Sequence, residues 1–218
     1  MSDGKYDFTW RPGLKGWFDF HSTYQQAIDE AKDGAVFVEI GSAYFRSALW
    51  MAQQIIASGK AIQLHCVDPW VNDSETFGAQ WFAESMAQGG AFNAGLRSLL
   101  EHGTPEEIER INILRTRSLS AARLFPDRSV DFVFIDGDHR GVAPLYDIDE
   151  WFPKIKPGGV IAGHDYGQMF PDVVDAVHKA FAGECEIRTP ERGETSTWWH
   201  RVRDREQEKA FLDEEVKR

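Results

Sequence analysis

The stretch VDFVFIDGDHRGVAPLYDIDEWFPKIKPGGVIAGHDYG, Val130 to Gly167, holds two apolar runs that each stop in a cluster of aspartate and histidine. Val130 to Ile135 is β-rich and lacks a helical period. It breaks at Asp136, Asp138 and His139, as a buried parallel strand does at its carboxyl end. Gly159 to Gly163 repeats the pattern ahead of His164 and Asp165. Between the runs, Leu145, Ile148, Phe152 and Ile155 share one helical face, and Lys156-Pro157-Gly158-Gly159 supplies a turn. The unit reads strand, helix, strand. Neighbouring parallel strands in such a crossover present their carboxyl ends side by side, so Asp136 and His139 are expected beside His164 and Asp165.

The flanking sequence extends the same alternation. Ser22 with Gln25 has the spacing of a capping box for a helix whose Tyr24, Ala27, Ile28 and Ala31 share a face, ending at Asp33-Gly34. Ala35 to Ile40 is a first strand, followed by a helix from Ser47 to Ser58 that stops at Gly59. Ala61 to Val67 and Ile111 to Leu114 are further strands, the latter leading through Arg117-Ser118 into a short helix to Phe125. A helix from Asp172 to Phe181 precedes two strands, Glu186 to Arg188 and Thr197 to Val202. These last two read as a hairpin joined through Pro190 to Glu194, which gives seven strands in a mostly parallel sheet with an antiparallel end. The tail Arg203 to Arg218 reads as a charged, solvated helix.

With 218 residues, 42% of them hydrophobic, the chain is long enough for one domain with a full core and no staples. A helical extension over about 1–34 precedes the first strand, and a helical insertion over about 71–104 carries Phe77, Trp81, Phe82 and Phe92 amid glycines. Such aromatics are more often packing than substrate contacts, although lids are drawn from insertions of this kind. Cys66 and Cys185 are too far apart for a metal or redox motif, and the N-terminal segment lacks the regions of a signal peptide. The expectation is a cytoplasmic protein with reduced thiols and no membrane partner. A net charge of −11 argues against a nucleic-acid partner. The reading leaves room for a homo-oligomer.

Glu39 ends the first strand two residues before Gly41, a helix follows, and Asp68 ends the second strand. A dinucleotide enzyme would carry G-x-G-x-x-G at that first turn to hold a pyrophosphate, and only Gly41 is present. The series VEIGSAYFRS, CVDPW, RTRS, FIDGDH and IKPGGVIAGHDY resembles the class I S-adenosylmethionine-dependent methyltransferases of the family-24 type, relatives of the macrocin-type and macrolide-sugar O-methyltransferases. The resemblance runs from about Gly16 to Val202. It implies a Rossmann-like α/β fold with strand order 3-2-1-4-5-7-6, strand 7 antiparallel, and helices on both faces. It places Glu39, Gly41, Ser42 and Ser47 at the methionine end of the cofactor and Asp68 on the ribose. Arg117 and Ser118 would lie by the adenine, and Asp136 would border the cofactor as well. The family turn usually has a second glycine four residues after the first; this chain has Phe45 there, a bulky side chain expected to narrow or reshape the cofactor site.

The resemblance further implies a divalent cation, magnesium in the relatives, held by Asp136, His164 and Asp165, with His139 as the base. His164 stands where an acid is usual; a histidine is atypical for magnesium and more compatible with manganese, iron or zinc, and His164 is alternatively a residue facing substrate. Methyl transfer requires an acceptor oxygen aligned with the sulfonium methyl and stripped of its proton, and a cation with a nearby imidazole does both. The expected acceptor is a hydroxylated small molecule, a sugar or glycosylated natural product. Two other readings stand beside it, a metal-free methyltransferase with His139 or His164 as base and a non-catalytic S-adenosylmethionine-binding protein. A plainer reading has Asp136 and Asp138 capping the next helix and the two histidines satisfying backbone groups. His65 reads as core or interface, and His21, His102, His178 and His200 carry no motif.

Overall fold

The computed structural model describes residues 10–72, 79–189 and 196–203. Seven strands form one sheet: β1 (Val36–Ile40), β2 (Gln63–Asp68), β3 (Ile111–Arg115), β4 (Val130–Ile135), β5 (Ile155–Tyr166), β6 (Glu186–Arg188) and β7 (Ser196–Arg201). Their order is β3-β2-β1-β4-β5-β7-β6. The pairs from β3 to β5 are parallel, and β7 runs antiparallel to both β5 and β6, as the sequence leads one to expect. The helices in chain order are α1 (His21–Glu30), α2 (Arg46–Ser58), α3 (Ala79–Ala87), α4 (Ala91–His102), α5 (Pro105–Glu109), α6 (Ser118–Ala122), α7 (Ala143–Trp151) and α8 (Pro171–Phe181).

Two apolar cores flank the sheet. Phe37, Leu64, Phe132 and Phe134 project to the side covered by α1 and α2. Their chain neighbours Val38, Val133 and Ile135 project to the other side, against α7 and α8. This alternation is why the strands lack a polar face and carry their charged residues only at their ends. None of the described helices is long and apolar enough to cross a membrane.

Several local expectations fail for identifiable reasons. Ser22 lies inside α1, whose N-cap is Phe20 with no side-chain cap, and Gln25 donates to Asp29 Oδ1 at 2.8 Å instead. The capping box is at α5, where the Thr104 hydroxyl accepts from Glu107 N while the Glu107 carboxylate accepts from Thr104 N. Ile155 does not extend the α7 face. Pro153 has no N–H to continue the helix, so the chain passes through a 3₁₀ turn at Phe152–Lys154 and Ile155 pairs with Val130 in the sheet. Lys156 to Gly159 is then a bulge within β5, held to the end of β7 by Gly158 N to Val202 O at 2.8 Å and Val202 N to Gly159 O at 2.9 Å. The stretch before β1 contains α1, and the stretch over 71–104 contains α3 and α4. The hairpin turn over 190–194, the tail helix beyond 203, Phe77 and the first nine residues lie outside the described residues.

Candidate active site

The carboxyl ends of β1, β2, β4 and β5 open into a cavity of about 770 Å³. It lies where the strand order reverses between β1 and β4, the place at which open α/β sheets bind ligands. The floor is the Gly41 turn. Gly41 N donates to Val67 O at 2.8 Å and Asp136 N to Ile40 O at 2.9 Å, which draws three strand ends together. A Cβ at Gly41, where φ is +91°, would stand 1.9 Å from the carbonyl oxygen of Asp136. The glycine is thus demanded by the close approach of β4 as well as by the turn.

At one end of the cavity lie Ser42, Ser47, Asp68, Arg117 and Ser118, with Asp147 from α7. Both oxygens of Asp68 hold the loop beyond β2: Oδ2 accepts from Ala43 N at 3.0 Å and Oδ1 from Trp70 N at 2.6 Å. These bonds steady two residues in left-handed backbone, Ala43 at φ 40° and Trp70 at φ 45°. Burial pushes the Asp68 carboxyl up to about 6 despite the two N–H donors, and burial also pushes Asp147 to about 6. Glu39 is not in the cavity wall. It stands behind the Gly41 turn with Oε1 accepting from the Tyr24 hydroxyl at 2.8 Å and Oε2 from Ser42 Oγ at 2.6 Å, and burial raises its pKa.

Phe45 also stays out of the cavity, contrary to expectation. It is the N-cap of α2 in left-handed backbone (φ 61°), so the chain does adopt the conformation a glycine would favour. Its ring is fully buried and stacks on Trp70 at 5.2 Å, away from the cofactor end. Gly95 in α4 leaves room for that stack, since a Cβ there would come within 3.0 Å of Trp70 Nε1 and 2.6 Å of Ala43 O.

At the other end the crossover brings Asp136, His139, His164 and Asp165 together. His139 Nε2 lies 2.7 Å from Asp165 Oδ2 and 3.6 Å from Asp136 Oδ1. His164 Nδ1 lies 3.4 Å from Asp165 Oδ1 and 3.6 Å from Asp136 Oδ1. Asp165 adopts left-handed backbone (φ 57°) at a register shift between β5 and β7, a local strain of the kind that clusters at functional sites. Capping does not explain the group. The N-cap of α7 is Val142 with no side-chain cap, and Asp138 is occupied by Arg140, which bonds its two oxygens at 2.8 and 3.0 Å.

Burial lowers the basicity of both imidazoles, but the carboxylates outweigh it. Asp136 and Asp165 raise His139 to about 10, and Asp136 and Asp19 raise His164 to about 10. Burial likewise opposes the Asp136 charge, and the two histidines overcome it, holding that carboxyl well below the usual range. The carboxylates thus favour the protonated form of both rings at neutral pH. The donor set fits a metal ion. Single donor atoms of Asp136, His139 and Asp165 lie within 4.8 Å of one another, and His139 Nε2 makes no hydrogen bond although Asp165 Oδ2 lies 2.7 Å away.

Sequence reading missed Asp19, Trp17 and Arg46, all in the wall at this end. Asp19 Oδ1 lies 2.9 Å from His164 Nε2, and the Arg46 guanidinium donates to the carbonyls of Leu14 and Trp10, the latter at 3.3 Å. Residues 10–20 have no periodicity to flag them; their density of Trp and Phe is the one available signal.

A methyltransferase domain model matches residues 38–166, from β1 to the end of β5 and so across every strand end just described. The chain belongs to this methyltransferase family. An uncharacterised protein of Sinorhizobium fredii is 25% identical over 130 residues, which is 59% of this chain and 13% of that relative's length. An rRNA methylase from Streptococcus thermophilus superposes with a TM-score of 0.58 at 10% identity, covering 86% of this chain and 98% of its own. A SAM-dependent O-methyltransferase from Thermotoga maritima gives 0.56 at 14% identity, covering 88% and 68%. At such identities these structures speak for the fold, which is that of S-adenosylmethionine-dependent methyltransferases.

Proposed function

We propose that this methyltransferase transfers the methyl group of S-adenosylmethionine to a hydroxyl of a small molecule, a sugar or glycosylated natural product, with the help of a divalent cation. The observation that carries the reading is the division of one cavity into two chemically distinct ends. Asp68, Ser118 and Asp147 offer hydroxyl-binding groups at one end, suited to a nucleoside. Asp136, His139, His164 and Asp165 converge at the other, where an acceptor oxygen has to be held and deprotonated. A cation bound among them supplies the lowered hydroxyl pKa. The chain's own residues orient the two substrates and border the reacting centre with the apolar side chains of Trp17, Met169 and Phe170. The fold is shared by an O-methyltransferase and an rRNA methylase. The net charge of −11 and the aspartates lining the cavity favour a small acceptor over a phosphate backbone. Two free thiols, one of them buried, suit the reducing cytoplasm.

Release of S-adenosylhomocysteine with a panel of sugar and polyol acceptors tests the proposal. Turnover abolished by chelator, with S-adenosylmethionine affinity retained, is the expected result. Full activity in chelator would establish the metal-free route through a histidine base, and cofactor binding with no turnover on any hydroxylated acceptor would indicate a binding protein.

A further inference from the structure

At the ends of β4 and β5 two imidazoles meet two carboxylates, and a further carboxylate from the N-terminal segment reaches one of the imidazoles. The two carboxylates and two imidazoles approach one another at 2.7, 3.4, 3.6 and 3.6 Å. For metal–ligand bonds of about 2.1 Å, neighbouring donors stand about 3.0 Å apart in an octahedron and about 3.4 Å apart in a tetrahedron, spacings that the four approaches span, with Asp165 presenting Oδ2 to His139 and Oδ1 to His164. His139 Nε2 makes no hydrogen bond although it lies 2.7 Å from Asp165 Oδ2, which leaves that nitrogen uncommitted to another protein group. His164 presents Nδ1 to the same two carboxylates while its other nitrogen lies 2.9 Å from Asp19 Oδ1. Asp19 Oδ1 makes no hydrogen bond among the described residues, so its 2.9 Å approach to His164 Nε2 is a buried ion-pair contact, with both side chains at most 9% exposed. A buried carboxylate behind a histidine whose other nitrogen faces the ion is the arrangement that fixes tautomer and ring plane in histidine-ligated metal sites.

We propose that Asp136, His139, His164 and Asp165 form a two-nitrogen, two-oxygen site that takes a first-row transition dication of the zinc, iron or manganese kind in preference to magnesium, with Asp19 as the residue that positions His164. Imidazole is a poor partner for magnesium, which holds to oxygen ligands and its own waters, whereas it suits the softer transition ions. This deepens the cation-assisted reading above and rests on it only for the ion's use in turnover. His139 becomes a ligand in place of the base expected from sequence, and Asp19 gains a role that nothing in its neighbourhood in the chain announces.

Calorimetric titration of chelator-stripped protein with Zn²⁺, Mn²⁺ and Mg²⁺ reads the site without any reaction. One equivalent of Zn²⁺ or Mn²⁺ is expected to bind at least about tenfold more tightly than Mg²⁺. His139→Ala and His164→Ala should each lower Zn²⁺ affinity. The isosteric Asp19→Asn should weaken Zn²⁺ by about 10- to 100-fold while S-adenosylhomocysteine affinity stays unchanged, which also certifies the fold. Mg²⁺ binding as tightly as Mn²⁺ would overturn the preference, and wild-type Zn²⁺ affinity in His139→Ala or His164→Ala would overturn the ligand set. Wild-type affinity in Asp19→Asn would remove Asp19 from its role. Tight Zn²⁺ binding with chelator-insensitive turnover would leave this site standing and overturn only the cation-assisted reaction; no dication binding at all would overturn the site, and homocysteine release in chelator would then report separately on the enzyme.

Discussion

A methyl group added at Gly41 would be forced to within 1.9 Å of a backbone oxygen, and backbone at the meeting point of β1 and β4 cannot step aside. Gly41→Ala is therefore expected to abolish cooperative folding or to lower the melting temperature drastically. The control is Gly141→Ala, where φ is also positive (+59°) but nothing lies within 4 Å, so the cost should be limited to about 1–2 kcal/mol of left-handed strain. Thermal melts of the two variants check the contrast. At this scale the sequence was informative where chemistry and strand position coincide. Asp136, His139, His164 and Asp165 each sit at the end of an apolar run, and burial on both faces of the sheet forces such runs to carry their charges there. It was uninformative for Asp19, because an aspartate among Trp17, Phe18 and Phe20 looks like any loop residue until the fold brings His164 to it. It misassigned Phe45 because the pattern specifies a backbone conformation, while the direction of the side chain depends on Trp70 and Gly95, far away in sequence.

Helix α2 shows how an element can tolerate the wrong residue at its start. Phe45 at the N-cap costs about 1–2 kcal/mol of left-handed strain, yet its buried ring is worth about 3–5 kcal/mol. The second term wins. Phe45→Gly, which makes the turn conform to the family pattern, should thus destabilise the protein by about 2 kcal/mol or more in urea denaturation. Its affinity for S-adenosylhomocysteine should change little, since the ring does not line the cavity. A large gain in affinity would show that the ring obstructs the cofactor after all. Most elements were legible from period and punctuation, with ends such as Gly59 after α2 read directly. The errors sit where two short-range signals compete. Ser22 and Gln25 mimic a cap one residue inside a helix, and Lys156 to Gly159 has turn composition but is paired into the sheet as a bulge.

The whole molecule carries buried acids whose titration should be visible in its folding equilibrium. Asp147 has a folded pKa of about 6 against an ordinary value near 3.9, so the folded state holds the proton more tightly than the unfolded chain. Its contribution is fully present below pH 4 and is lost as pH rises through 6. Asp147→Asn keeps the shape and removes the titration. The variant should gain up to roughly 3 kcal/mol relative to the parent between pH 4 and pH 7, and parallel denaturation curves at both pH values check it. The strand order was legible because strands and helices alternate along the chain. The cavity wall formed by Gly16, Trp17 and Asp19 was not, since Asp19 meets His164 only in the fold, in a segment whose Arg11 also contacts Glu107 and the carbonyl of His102 and whose Lys15 contacts Glu84. Further such ties join Thr23 to Thr197 at 3.1 Å and Arg201 to Glu30. On the ribosome, where the chain emerges amino end first, Asp19 has to wait until strand β5 has been synthesised before His164 exists to receive it. The cavity wall made earliest is consequently set in place only after β5 has been made, and the finished cavity waits until most of the sequence has been translated.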